Sequence, residues 1–124
     1  MNAQLLVALA PQQLFLDPSH TFRLTLSDAA AWPDHRPGPG WQVRAARPDD
    51  EGAINRILTA RQMVPVREGF LAQAVTQPAL LILVAEEADS GNVLGVVTGV
   101  DHVAACDDPD CGSSLWSLAV DPQC

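Results

Sequence analysis

Leu80-Leu81-Ile82-Leu83-Val84-Ala85 is followed by Ala88-Asp89-Ser90-Gly91-Asn92 and then by Val93-Leu94-Gly95-Val96-Val97-Thr98-Gly99-Val100. Two β-branched, apolar runs separated by turn-forming residues predict a β-hairpin. The first run is continuous rather than alternating, which predicts a buried strand. Gly95 and Gly99 interrupt the second run, where glycine marks a bulge or the close approach of another backbone.

Upstream of the hairpin the pattern changes period. Trp41–Ala46 reads as a strand. Pro48 suits the first position of a helix, because its missing N–H would find no partner there. Asp49, Asp50 and Glu51 fall in the first turn, where the helix dipole favours negative charge. Ile54, Ile57, Leu58 and Arg61 recur at helical spacing, predicting a helix of about three turns. Gln62–Pro65 ends it. Val66, Phe70, Leu71 and Ala74 predict a second, shorter helix, weakened by Gly69 and closed before Pro78.

Downstream, His102–Gly112 reads as a polar, acidic loop. Ser114–Val120 reads as a last strand, stopped by Asp121-Pro122 because proline donates nothing to a ladder. The order is strand, helix, helix, hairpin, strand, with no internal repeat. It predicts an α/β (α+β) fold with a mixed, mostly antiparallel sheet flanked by helices.

Residues 1–40 differ in character. Thr21–Leu26 alternates as a half-buried strand, and Ser27-Asp28 caps a brief Ala-rich turn through Ala31. Trp32-Pro33-Asp34-His35-Arg36-Pro37-Gly38-Pro39-Gly40 reads as a linker, since its prolines and glycines hold no regular element. The expected division is therefore an N-terminal extension and Pro/Gly linker over 1–40, and a domain over 41–124.

Composition excludes several classes of function. The 124 residues carry a net charge of −8, and all seven basic residues are arginine. No face gathers enough positive charge to neutralise many phosphates, which argues against nucleic acid and an anionic membrane surface as partners. Leu5–Ala10 is too short to span a bilayer and lacks the basic flank of a signal peptide. Three cysteines, an odd number, argue against a disulfide framework and for reduced thiols in a cytoplasmic protein.

The segments of residues 41–124 resemble, in order and spacing, the amino-terminal part of a GNAT N-acetyltransferase. Trp41-Gln42-Val43-Arg44-Ala45-Ala46-Arg47-Pro48-Asp49-Asp50 is similar to the family's first strand and helix start. Leu80–Glu87 and Val93–Val100 are similar to its second and third strands. Leu115-Trp116-Ser117-Leu118-Ala119-Val120-Asp121-Pro122 is similar to its fourth strand and the entry to the coenzyme loop. The resemblance implies transfer of acetyl from acetyl-CoA to a primary amine of a small molecule or amino acid. It places the pantetheine arm against the backbone of Leu118, Ala119 and Val120, as an added strand would lie. It places the amine acceptor near Arg61, Met63 and Arg67, between and on the first two helices.

The family's Gly-rich turn, whose N–H groups hold the coenzyme pyrophosphate, does not follow Pro122 before Cys124. The tyrosine that often serves the family as general acid has no counterpart, the chain having no Tyr. The expectation is therefore a domain truncated after its fourth strand, weak or inactive by itself, with acetyl-CoA bound less tightly than micromolar. A narrower likeness, carried by the linker, Trp41–Arg44, Val100-Asp101-His102 and Ser114-Leu115-Trp116, is to the acetyltransferase portion of N-acetylglutaminylglutamine synthetase. It implies a glutamine-type acceptor and an ATP-grasp ligase domain following in the full-length protein. A dimer is also entertained.

Two other readings stand beside this one. A non-catalytic GNAT-like module would dock on a partner or an adjacent domain. A metal site would use His102, Cys106 and Cys111, but the cysteine spacing is loose and a fourth ligand is wanting, so no metal is expected. Asp107, Asp108 and Asp110 lack the glycine and distant glutamate of a calcium loop. His102, at a strand end, is a better candidate base than His35 in the linker. Trp116 is read as a core residue before a stacking one. The catalytic acid and base are left unassigned.

Overall fold

The arginine in the first strand fixes how the chain leaves the sheet. In the computed structural model the described residues are 38–124, with Ala8, Leu9 and Thr25. Strand β1 covers Trp41–Ala45, a 3-10 turn covers Pro48–Asp50, and helix α1 covers Glu51–Ala60. Arg44 on β1 reaches forward to Asp50, Nη1 to Oδ2 at 2.7 Å and Nη2 to Oδ1 at 2.9 Å. Arg44 Nε donates to Glu86 Oε2 at 2.6 Å. Asp50 also accepts the N–H of Arg47 at 2.7 Å, which closes the turn that Pro48 begins.

Short helix α2 covers Phe70–Ala74. Gly69 lies outside it, at φ 72°, a left-handed conformation that glycine adopts without strain, so it positions the helix instead of weakening it. The carboxylate of Glu51 holds the start of α2, accepting from Gly69 N at 2.9 Å and Leu71 N at 2.8 Å. Asn55 holds the connecting loop through two bonds with the backbone of Val66, at 3.0 and 2.8 Å. Asp50 and Glu51, expected to be simple helix-start charges, are thus specific clamps.

Strands β2 (Leu80–Glu87), β3 (Val93–Asp101) and β4 (Ser113–Val120) complete a four-stranded sheet of order β1-β2-β3-β4. All three pairings are antiparallel. Two irregularities break the register. Ala85 pairs with Gly95 and Glu86 with Val93, leaving Leu94 over. Val96 pairs with Ala119 and Thr98 with Trp116, so Ser117 and Leu118 together face Val97. The expected acidic loop contains a short helix, α3 (His102–Cys106), because Asp101 caps it by accepting from Val103 N and Ala104 N.

The core lies on one face of the sheet. Ile54, Ile57 and Leu58 of α1 and Leu71 and Ala74 of α2 pack on Ile82, Val84, Val96 and Ala119. The other face is open among the described residues. Leu81, on that face, is 57% exposed. The continuous run Leu80–Ala85 is therefore buried on one side only, a correction to the strand expected from its composition. Val43, Leu115, Leu118 and Val120 are also exposed.

The chain divides into two units, Met1–Asp34 and His35–Cys124, and every element above belongs to the second. The strand expected at 21–26, apart from Thr25, the turn through Ala31 and most of the linker lie outside the described residues. Among the described residues no helix is long and apolar enough to cross a membrane.

Candidate functional site

Two arginines of the first helical region hold the C-terminal end of β4. Arg56 of α1 forms an ion pair with Asp121, and its Nη2 lies 3.4 Å from the carbonyl of Val93. Asp121 also accepts the N–H of Gln123 at 3.0 Å. The Arg56 hydrogen bond, reinforced by that N–H, holds the Asp121 carboxyl below its ordinary range. Arg61, just past the end of α1, donates from Nε to the carbonyl oxygen of Val120 at 2.7 Å.

The direction of that carbonyl follows from the ladder. Asp121 N–H points inward to the carbonyl of Leu94 at 2.7 Å. Neighbouring residues of an antiparallel strand alternate, so Val120 turns its C=O and N–H to the outer edge of β4. No described strand covers that edge. Ala119 is turned the other way, and its side chain is buried in the core. Leu118 is 67% exposed on the open face.

Upstream of these residues the strand bends at Ser117, which has φ 52°. A left-handed serine is uncommon and strained, and here it accommodates the extra residue of the bulge. Gly95, opposite Val120, has a matching role. A Cβ built there would lie 3.1 Å from the carbonyl oxygen of Ala119, so glycine lets β3 approach β4 closely. On the helix side of the bulge is a cavity of about 330 Å³, lined by Phe70, Leu71, Ile82, Thr98, Trp116 and Ser117 among others. The bulge therefore joins an outer strand edge to an apolar cavity.

The three acceptor-side residues expected from sequence do not converge. Arg61 is committed to Val120. Met63 donates its N–H to the carbonyl of Leu58 at 2.8 Å and packs against the core. Arg67 Nη2 donates to Gln73 Oε1 at 2.7 Å on the surface. None of the three lines the cavity. Trp116 is 63% exposed rather than a core residue, and its indole N–H donates to Ser114 Oγ at 2.7 Å.

The outer edge of β4 offers Val120 N–H, by the ladder's alternation, to an extended amide-bearing chain, while Val120 C=O is engaged by Arg61. The bulge at Ser117 was not legible in the sequence, where a serine between Trp116 and Leu118 carries no mark of a positive φ. Among the described residues no group of three His, Cys, Asp or Glu is arranged to hold a metal ion. Cys106, Cys111 and Cys124 are free thiols.

No protein-family model matches the chain, and no curated protein matches it. Among solved structures it is similar to glucosamine-6-phosphate N-acetyltransferase from Arabidopsis thaliana, with 16% identity and a TM-score of 0.48. The similarity covers 67% of this chain and 61% of that one, so the chain spans less than two thirds of that protein's length.

Proposed function

We propose that this chain carries the acceptor-side part of an acetyl-CoA-dependent N-acetyltransferase site of the GNAT type, acting on a primary amine of a small molecule or amino acid. The observation that carries the reading is the bulge at Ser117, which sets the outer edge of β4 beside an apolar cavity. The order of elements from Trp41 to Pro122 agrees with it.

Acetyl-CoA would supply an activated acetyl thioester. The outward-facing backbone of Val120 would hold and orient its pantetheine arm, with Leu118 and Ala119 setting the strand that presents it. Arg61 and Arg56 fix the end of β4, so that the edge is set in place before a ligand arrives. The apolar cavity beside Ser117 would hold the body of the acceptor, and fixing two reactants side by side lowers the barrier to their reaction.

Thermal-shift titrations with acetyl-CoA, acetyl-pantetheine and the adenosine 3',5'-bisphosphate half test the reading. Acetyl-CoA and acetyl-pantetheine should stabilise the protein alike, only above micromolar concentration, and the adenosine half should do nothing. Stabilisation by the adenosine half alone would overturn it.

A non-catalytic docking module is the second reading. The specific observation in its favour is the open apolar face of Val43, Leu81, Leu115 and Leu118. A protein that responds to none of the three ligands would favour it.

A further inference from the structure

Away from the C-terminal end of β4, the segment after β3 and the start of β4 build a second group of reactive side chains. His102 Nε2 lies 2.8 Å from Ser114 Oγ. His102 Nδ1 faces Asp108 Oδ2 at 3.6 Å, an electrostatic contact rather than a hydrogen bond. Asp108 is fixed, Oδ1 accepting from Asp110 N at 3.1 Å and Oδ2 from Gly112 N at 2.9 Å. Those two N–H groups keep its carboxyl below the ordinary range.

The partners decide the tautomer. A carboxylate facing Nδ1 favours the proton there, which leaves Nε2 an acceptor. The Trp116 indole is a donor only, and it points at Ser114 Oγ. Ser114 therefore accepts from Trp116 and donates its own proton to His102 Nε2. One oxygen lone pair is left for attack, with a base on the proton and the Trp116 indole fixing the orientation of Oγ. Gly112 leaves the space for this arrangement, since a Cβ there would lie 2.7 Å from Asp108 Oδ2 and 3.2 Å from His102 Nδ1. Ser114 borders a cleft of about 580 Å³, lined also by Pro78, Ala79, Leu81, Val103 and Leu115.

We propose that Ser114, His102 and Asp108 form a nucleophilic acyl-transfer site that takes small carboxylic esters with an apolar acyl group. The Ser114 hydroxyl gives its proton to His102 Nε2 while Oγ forms a bond to the ester carbonyl carbon. The tetrahedral adduct then breaks its bond to the alcohol oxygen, and the alcohol leaves with the proton from Nε2. Water completes the cycle: His102 takes one of its protons, its oxygen bonds to the acyl carbon, and Ser114 Oγ departs and regains the proton. The sum is ester plus water giving acid plus alcohol.

The test is reaction of the full chain with a fluorophosphonate, which phosphonylates an activated serine and releases fluoride, located by peptide mass spectrometry. Turnover of p-nitrophenyl acetate is followed in parallel. The expected result is a single adduct on Ser114, absent in S114A. His102→Gln keeps a hydrogen-bonding side chain but removes the base, and should slow both reactions about 100-fold with the thermal midpoint preserved. His102→Ala serves as a second removal of the base. Adduct on another residue, no adduct on folded wild-type protein, or labelling of H102Q at the wild-type rate would overturn the proposal.

Discussion

Arg61 Nε donates to the carbonyl oxygen of Val120 across 2.7 Å, tying the segment after the first helix to the end of the last strand. One of these residues was expected on the acceptor side and the other on the coenzyme side. Their contact means that a change at Arg61 is felt first by the strand edge. Arg61→Ala should lower stability by about 1 kcal/mol. Amide hydrogen exchange at residues 119–124 should accelerate while that of β2 stays unchanged. Uniform acceleration across the sheet would show that the bond does no local work.

The bulge makes its own prediction. Ser117→Gly removes the left-handed strain and should leave stability unchanged or raise it by up to about 1 kcal/mol. Ser117→Val, β-branched at φ 52°, should cost about 1–2 kcal/mol. Urea unfolding of the two variants side by side checks the sign of the difference.

Much of this arrangement was legible in advance, and the parts that were not share a cause. The apolar, β-branched runs and the turn residues between them placed β2 and β3, and the 3.6-residue spacing placed α1, because burial of apolar side chains dictates both. Of Ile54, Ile57, Leu58 and Arg61, expected at helical spacing, the first three are the buried stripe of α1 and Arg61 lies exposed just past its end. The continuous run Leu80–Ala85 misled, because its apolar composition does not say whether a second layer covers it. Asp50 and Glu51 were read as helix-start charges, but their partners Arg44, Gly69 and Leu71 come from other elements. The relation of Ser114 to His102 and Asp108 likewise depends on where α3 turns, and on Gly112 leaving room.

Acid should unfold the domain through its paired carboxyls. Asp50 is held below its ordinary 3.8 and Glu86 below 4.5, each chiefly by a hydrogen bond from Arg44. Asp121 is held below 3.8 chiefly by Arg56. A folded pKa below the unfolded one means that the unfolded chain takes up protons first as pH falls. The stabilisation is complete above about pH 5.5 and is lost progressively below about 4.5. Urea midpoints measured from pH 7 to pH 3 should be flat and then fall. Arg44→Leu should lower the midpoint at pH 7, by roughly 2–3 kcal/mol of stability, and flatten the acid decline.

The core carries the remaining risk. Ile57 has 0% exposure, and Ile57→Ala should cost about 3 kcal/mol, a large part of the stability of a small domain. Gly95→Ala should cost about 1 kcal/mol by pressing on the Ala119 carbonyl 3.1 Å away, with faster exchange confined to the β3–β4 pair. Thermal unfolding ranks the two.

The central claim is that the outer edge of β4 receives the acyl donor. Backbone amide NMR of the isotope-labelled chain, titrated with acetyl-CoA to millimolar concentration, tests it directly. The account predicts that the largest shifts fall on Ser117, Leu118, Ala119 and Val120, and that they shrink in Arg61→Ala. Shifts centred elsewhere, or none at these four amides, would contradict it.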